Sequence, residues 1–315
     1  MIKQWDYQLD LLDKEMDALS EKDQQTLLEK KKQLLNKQKE LLDTCPTLTA
    51  EDKVYLARHP RRPNITAYMH ALFEDFFELR GDRLCKEDAS ILGGLALYHG
   101  RPVTVIGHRK GANLEENIRC NFGMPGPEGY RKALRLMKQA EKFHRPIITF
   151  IDTPGAYPGL EAEAHGQSEA IARNLAEMST LKVPVIAIIT GEGSSGGALA
   201  LGVANTVLML ENAVYSILSP EGFASILWKD ASRCGEACDL MKLTAQDLHR
   251  FGMIDAILPE PVGGAHRNPS VVFQAIDQAL CAELEKLCKL SGDALAQQRY
   301  TKFRTMGIAN TEETG

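Results

Sequence analysis

Residues 183–202 read VPVIAIITGEGSSGGALALG, an apolar run followed by four glycines within seven residues and then by small residues. The apolar run predicts a strand that is buried on both faces of a mostly parallel sheet. Glycine has no Cβ, so the turn can adopt positive φ angles and let another molecule approach the backbone. Free N–H groups where the next helix begins attract negative charge. The stretch therefore predicts a strand–turn–helix unit whose turn binds an anionic group, since a crossover without a ligand needs fewer glycines.

Three chemistries compete for this turn. Gly191, Gly193 and Gly196 fit the G-x-G-x-x-G spacing of dinucleotide-binding folds, and Glu211 ends the next strand. However, that fingerprint usually opens its domain, whereas here it comes late in the chain. Ser195 could be a hydrolase nucleophile, but no feature selects one of the eight histidines as its base. The third candidate is an oxyanion hole of backbone N–H groups, which needs no side-chain nucleophile.

A second glycine turn ends the preceding strand. Residues 148–159, ITFIDTPGAYPG, again lead from an apolar run into a Pro/Gly turn, and Gln167 opens the following helix. Two such units in succession place both turns at one edge of the sheet, so we expect them to form two walls of one pocket. We interpret Asp152 as a capping residue that holds the turn and Glu221 as a structural first-turn acid of the helix that begins SPEG.

The sequence around these turns is typical of an α/β domain. Residues 90–109 predict a hairpin that turns at His99-Gly100. Further strands are predicted at 146–152, 183–190, 205–211 and 254–260, and helices at 65–79, 129–143, 167–181 and 269–290. We predict three parts: a helical hairpin or one long helix over 1–45, an α/β domain over 46–290 that holds both glycine turns, and a tail over 291–315. The leucine stripe of residues 1–45 would pack on its own domain or contact another subunit.

Composition excludes several classes of protein. The 315 residues are 44% hydrophobic and 25% charged, as in folded globular proteins, and the net charge of −5 argues against a nucleic-acid binder that relies on a bulk positive field. The seven cysteines form no CxxC pair, so we predict no zinc ribbon and no metal site in this chain. The start, MIKQWDYQLDLLDKE, lacks a signal pattern, and no apolar run is long enough to span a membrane. We expect a cytoplasmic protein with reduced thiols.

Six separated motifs resemble those of the bacterial acetyl-CoA carboxylase carboxyltransferase alpha-subunit family. The similarity runs from about Ala57 to Pro269. The motifs are NFGMPGPEGYRKALRLMKQAEKF (121–143), PIITFIDTPGAYPG (146–159), GQSEAIARNLAEMS (166–179), GEGSSGGALALG (191–202), SPEGFASILWK (219–229) and EPVGGAHRNP (260–269). Six motifs in the right order are far more specific than one G-x-G-x-x-G.

The resemblance implies a crotonase-like (ClpP/crotonase) α/β fold of repeated ββα units with an N-terminal helical segment. It implies a beta subunit of the same fold that carries the zinc ribbon, most simply in an α2β2 assembly. Together they would move the carboxyl group from carboxybiotin on the biotin carboxyl carrier protein to acetyl-CoA and so form malonyl-CoA, the first committed step of fatty acid synthesis. No cofactor would be bound covalently, and ATP would be used by the separate biotin carboxylase component.

The resemblance also implies the site. The backbone N–H groups of Gly196 and Gly197 would form the oxyanion hole that faces biotin. Other backbone positions would line the same pocket, namely Gly155, Ala156, Gly193 and Ala198.

This chain departs from the family pattern at two places. Ser194 replaces the second glycine of the usual E-G-G-S-G-G-A turn, which would cost strain if that position has a positive φ. His165 stands where a fixed positive charge is common, so an ion pair there would be weaker or pH-dependent. Rival functions from other classes are an NAD-binding oxidoreductase and a non-catalytic scaffold for a partner enzyme.

Overall fold

The computed structural model describes residues 2–19 and 24–307, which form one mixed sheet surrounded by helices. The strands are β1 Glu74–Glu78, β2 Ile91–Tyr98, β3 Arg101–His108, β4 Ile147–Thr153, β5 Val185–Ser194, β6 Thr206–Leu210, β7 Val214–Ser216 and β8 Ala256–Leu258. The helices before β5 are α1 Ile2–Asp17, α2 Gln24–Asp43, α3 Ala50–Ala57, α4 Ile65–Leu72, α5 Leu114–Arg119, α6 Pro127–Lys142, α7 Leu160–Ala164 and α8 Gln167–Thr180. Those after it are α9 Ser195–Leu199, α10 Pro220–Trp228, α11 Cys234–Met241, α12 Ala245–Arg250, α13 Pro269–Leu287 and α14 Gly292–Thr305.

The sheet runs in the order β1-β2-β3-β4-β5-β6-β8. Its first three strands are antiparallel neighbours, and the pairs from β3 onward are parallel. Every residue of β4, β5 and β6 is buried, as the apolar runs predict for strands covered by helices on both faces. The carboxyl ends of β4 and β5 are neighbours, so the two glycine turns that follow them lie at one edge of the sheet.

The short strand β7 supports the start of the glycine turn. It pairs in parallel with the end of β5, so that Gly193 lies opposite Tyr215 and Ser194 opposite Ser216. The last residues of β5 therefore belong to the sheet, and the free part of the turn begins only at Ser195.

The predicted hairpin is confirmed, and one predicted helix is wrong. Strands β2 and β3 pair over their whole length around His99 and Gly100, whose φ angles of 46° and 73° suit a two-residue hairpin turn. The helix predicted over 65–79 ends at Leu72, because the chain becomes extended at Phe73 and residues 74–78 pair with β2 as the edge strand β1. Pairing with a distant strand here overrides a local pattern that looks helical.

The N-terminal segment is a helical hairpin that packs on its own domain. Ile2, Trp5 and Leu9 of α1 are buried against Leu56 of α3. Asp6 lies beside them and accepts hydrogen bonds from the imidazoles of His59 and His266 and from Arg267. Burial by itself would raise the pKa of Asp6, but these hydrogen bonds and the charge of Arg267 hold it well below its usual range.

The chain after residue 290 is also part of the packed structure. The sequence places residues 291–315 in a tail, whereas residues 292–305 form α14 with Leu295 and Arg299 buried. Asn205, just before β6, donates a hydrogen bond to the Leu295 carbonyl at 3.0 Å and accepts one from Arg299. Residues 308–315 of the predicted tail lie outside the described residues. Among the helices of the described ranges, none combines the length and the apolar character that crossing a membrane requires.

Candidate active site

The glycine turn after β5 opens a short helix without a side-chain cap. Ser194 is extended, with φ −120° and ψ 131°, and Ser195 carries the positive φ of 56°. No side chain of the described residues caps the start of α9, whereas the side chains of Thr49 and Asn64 cap α3 and α4. The first N–H groups of a helix have no intrahelical acceptor, so those at this start remain available to a ligand.

Ser194 does not have the positive φ that would make a serine strained at that position. An extended backbone at Ser194 suits any residue, so replacing a glycine there costs no backbone strain. The strain lies one residue further on, at Ser195.

The two glycine turns touch each other at Gly197. A Cβ added at Gly197 would lie 2.6 Å from the backbone nitrogen of Ala156 and 2.9 Å from the carbonyl carbon of Gly155. Gly155 itself has a φ of 140°, which L residues rarely adopt, and the hydroxyl of Thr153 accepts a hydrogen bond from its N–H at 3.0 Å. The structure thus brings together Gly197, Gly155 and Ala156, and glycine at residue 197 is required by the close approach of the second turn.

Gly196, Gly193 and Ala198 have different surroundings. Gly196 is half-buried, and a Cβ added there would meet only the Ile171 side chain, at 3.3 Å. Gly193 is paired in the sheet with Tyr215. The side chain of Ala198 is buried in the main hydrophobic core. Of the pocket residues implied by the resemblance, Gly193 and Ala198 therefore support the turn from the side of the sheet and the core.

The glycines of the G-x-G-x-x-G pattern are explained by packing within the chain. A Cβ at Gly191 would lie 2.3 Å from a carboxylate oxygen of Asp152, and one at Gly193 would lie 2.8 Å from the ring of Tyr215. The carboxylate of Glu211 accepts a hydrogen bond from the backbone N–H of Glu260 at 3.2 Å. Two of the three glycines and the acidic residue thus have structural partners, so the dinucleotide-binding interpretation loses its support.

The serine-hydrolase interpretation finds no base. The side chain of Ser195 is exposed, and within the described residues none of the hydrogen bonds joins it to a histidine. The histidine close to this turn is His108, which is buried against the backbone of Gly197 and Phe150. Burial, assisted by the charge of Lys110, lowers the pKa of His108 to about 3, so this imidazole is neutral at physiological pH.

A chain of alternating charges lies behind the turns. The ammonium of Lys110 donates to Asp152 at 2.7 Å and to Glu192 at 3.0 Å. Arg58 donates to Glu192 at 2.8 Å and to Glu221 at 2.7 Å. Asp152 also accepts the backbone N–H of Glu192 at 3.1 Å. The structural role of Asp152 and Glu221 agrees with the expectation from the sequence, whereas the two cations that hold them, Lys110 and Arg58, are not predicted from it.

Burial and pairing act in opposite directions on the two central groups of this chain. Burial would raise the pKa of Glu192, but Lys110 and Arg58 more than offset it and lower that pKa. Burial would lower the pKa of Lys110, but Asp152 and Glu192 raise it. Both groups are therefore charged at neutral pH, and their charges balance each other.

An apolar cavity opens beside Ser195. Its volume is about 440 Å³, and it lies between α9, β7 and the helices that follow. Its walls are mostly aliphatic, aromatic and Met side chains, including Leu199, Tyr215, Phe223 and Phe303. These apolar walls make one side of the turn less polar than water, and a hydrogen bond from the turn to an anion is stronger in such surroundings.

Charged side chains surround His165, the second position where this chain departs from the family pattern. Its Nδ1 lies 2.8 Å from a carboxylate oxygen of Glu128, and Arg131 lies 3.3 Å from the same oxygen. Cys85 is close enough to Glu128 and His165 for the three to form a metal-like cluster, as are Asp6, His59 and His266 elsewhere. In both clusters an arginine already contacts the carboxylate, and a cation in that place disfavours a metal ion.

Comparisons with known proteins agree on one family. The sequence profile of a family described as acetyl co-enzyme A carboxylase carboxyltransferase-like matches residues 3–307. A protein of Geobacillus thermodenitrificans named acetyl-coenzyme A carboxylase carboxyl transferase subunit alpha is 60% identical over 268 residues, which are 85% of this chain and 82% of that protein. A protein of the same name from Listeria monocytogenes is 57% identical over 264 residues, 84% of this chain and 83% of its own length.

Solved structures that superpose on this chain include transcarboxylase 12S, a subunit of geranyl-CoA carboxylase and a malonate decarboxylase. Transcarboxylase 12S superposes with a TM-score of 0.59 at 16% identity, over 79% of this chain and 44% of that one. The beta subunit of geranyl-CoA carboxylase from P. aeruginosa gives a TM-score of 0.54 at 15% identity, over 76% of this chain and 46% of that one. At such identities the likeness shows the fold alone, and it confirms the predicted crotonase-like α/β fold.

Proposed function

The chain belongs to the acetyl-CoA carboxylase carboxyltransferase alpha-subunit family, and on that premise we propose that it forms malonyl-CoA together with a beta subunit. The carboxyl group would come from carboxybiotin on the biotin carboxyl carrier protein and pass to acetyl-CoA. Fatty acid synthesis is the pathway that this reaction serves.

The proposed reaction creates negative charge twice. When the carboxyl group leaves biotin, charge develops on the ureido oxygen of the biotin ring. When the biotin nitrogen then removes an α-proton from acetyl-CoA, charge develops on the thioester oxygen. The new carbanion attacks the released CO₂, so no protein nucleophile is needed. Each oxyanion requires preorganised N–H donors, which are worth far more in a dry site than in water.

The observation that carries the proposal is the uncapped start of α9 beside the second turn. We assign the ureido oxyanion to the backbone N–H groups of Gly196 and Gly197. Gly155 and Ala156 would form the facing wall, and Gly193 and Ala198 would hold the turn in place. The exposed hydroxyl of Ser195 has no chemical part in this scheme.

One oxyanion hole in this chain implies a second on a partner. We propose that a beta subunit of the same fold supplies the hole for the thioester and carries a zinc ribbon, in an α2β2 assembly. No metal and no covalent cofactor would belong to the alpha chain. The biotin carboxylase component would use the ATP, and the assembly would work in the cytoplasm.

The test is reconstitution. The purified alpha chain should transfer no carboxyl group, and addition of the beta subunit should restore malonyl-CoA formation from carboxylated carrier protein and acetyl-CoA. Robust activity of the alpha chain alone would refute the shared site. A beta subunit that is fully active alone would instead support a scaffold role, and thermal protection of the chain by NAD would favour the oxidoreductase.

A further inference from the structure

Lys110 occupies a position from which it can fix the distance between the two glycine turns. It follows β3 by two residues, and its aliphatic stem lies over Gly123, where an added Cβ would come within 2.8 Å of the Lys110 Cγ. Its ammonium lies between the carboxylates of Asp152 in β4 and Glu192 in β5, at 2.7 and 3.0 Å. One side chain thus joins the carboxyl ends of both strands.

The two carboxylates lie near the carboxyl ends of the strands that lead into the two turns. Asp152 precedes Gly155 by three residues, and Glu192 precedes Gly196 by four. The Asp152 carboxylate also rests on the Cα of Gly191 and accepts the Glu192 N–H, so it is in direct contact with the backbone of β5. A displacement of either carboxylate would therefore move the turn that follows it.

A cation is the group that this geometry requires. Two carboxylates that share one site repel each other, and burial increases the repulsion. Arg58 balances Glu192 from its other oxygen, and Arg62, the other cation near Asp152, is paired with Glu260. Lys110 is therefore the cation that contacts Asp152 and holds it beside Glu192. Without Lys110 the two carboxylates would repel each other and push the strand ends apart, or one of the carboxylates would take up a proton.

We propose that Lys110 is a positioning residue of the carboxyltransferase site: it sets the spacing between the turn of Gly155 and Ala156 and the turn of Gly196 and Gly197. The proposal rests on the function proposed above. Lys110 acts through Asp152 and Glu192 and does not touch the reacting atoms. Gly197 packs directly on the Gly155–Ala156 peptide, so a shift in this spacing changes the direction of the oxyanion donors.

The test compares Lys110→Met with Lys132→Met in the complex with the beta subunit. Lys132 is a comparable buried lysine of α6, paired with Glu87 and with two carbonyls at 2.8 and 2.6 Å, but these partners lie around the start of β2 and not at the two turns. A misplacement of about 1 Å can cost on the order of 100-fold in rate. We therefore expect Lys110→Met to lower kcat by roughly 10- to 100-fold with little change in KM for acetyl-CoA, and Lys132→Met to lower stability but not kcat.

Two further variants separate positioning from general loss of structure. Lys110→Arg keeps the charge and should recover most of kcat. Asp152→Asn should lower kcat alone, and combined with Lys110→Met it should add little, because interacting residues give non-additive effects. If Lys110→Met does not assemble, the Asp152→Asn and Lys110→Arg measurements decide the question.

Each unexpected result would refute a different proposal. An inactive wild-type complex would refute the proposed function. An active complex in which Lys110→Met loses no more kcat than Lys132→Met, or in which Lys110→Met and Asp152→Asn are additive, would overturn the role of Lys110 and leave the proposed function standing. In the fallback case, an Asp152→Asn complex with unchanged kcat would overturn it as well.

Discussion

Replacing Gly197 by Ala should abolish most of the carboxyl transfer while leaving the subunits able to associate. The added Cβ would lie 2.6 Å from the backbone nitrogen of Ala156, 2.8 Å from the hydroxyl of Tyr130 and 2.9 Å from the carbonyl carbon of Gly155. Two of these three atoms are backbone, which cannot rotate away, and the tyrosine ring is fully buried. Relief of the overlap therefore requires the two turns to separate by on the order of 1 Å, which is enough to misdirect a donor.

The size of the effect follows from the loss of one aligned donor. Removal of one oxyanion-hole donor costs on the order of 100- to 1000-fold in turnover, and the overpacking itself costs about 1–3 kcal/mol of stability. The assay is malonyl-CoA formation with excess beta subunit, with assembly followed by light scattering. Gly235→Ala is the matched control, because its Cβ would meet only the flexible carboxylate of Glu51, at 2.9 Å. An assembled Gly197→Ala complex that runs within a few-fold of the wild-type rate would place the biotin site elsewhere.

Three further outcomes follow from the structure. Ser195→Ala should keep most of the transferase activity, whereas Ser195→Gly should stabilise the chain by up to about 1 kcal/mol by relieving the positive φ; loss of turnover in a folded Ser195→Ala complex would reopen a chemical role for the hydroxyl. Burial and Lys110 lower the pKa of His108 from 6.5 to about 3, so its contribution to stability is complete above pH 6.5 and is lost as the pH falls below that value. At pH 5 the free energy of unfolding should be about 2 kcal/mol lower than at pH 8 because of His108. Denaturant titrations of His108→Gln at both pH values should lack this difference. Ending the chain after Leu290 should remove the burial of Leu295 and Arg299 and lower the free energy of unfolding by about 3 kcal/mol or more; an unchanged urea midpoint would contradict this packing.

The central strands and their turns were predictable because their signals are local. The apolar runs that became β4, β5 and β6 and the glycines that follow them need no information from elsewhere in the chain. The edge strand β1 was not predictable, because EDFFE has no clear alternation and its conformation depends on pairing with β2. The helix α14 is also hard to foresee, since a mostly polar stretch with few large apolar residues gives little sign that Arg299 will be buried.

The candidate site also has parts that the sequence predicts and parts that it does not predict. The turns themselves could be located from the sequence, but their mutual contact at Gly197 and the positive φ at Ser195 depend on how β4 and β5 are placed. The cations Arg58 and Lys110 could not be found, because their partners Glu221, Glu192 and Asp152 are distant in sequence. A signal for Lys110 did exist: it directly follows a predicted strand that lies next to β4.

The contacts of Asp6 have a consequence for the order in which the chain can fold as it is synthesised. Helix α1 is synthesised before the rest of the described chain, and His266 and Arg267 lie 260 and 261 residues after Asp6. At about 5–20 residues per second, translation takes roughly 13–50 s to reach them. Ile2, Trp5 and Leu9 can pack on Leu56 well before that, because every member of their apolar cluster lies within residues 2–56. The hairpin can therefore form on α3 early in synthesis, whereas the ion pairs of Asp6 that fasten it to the far end of the chain close only after residues 266 and 267 have been made.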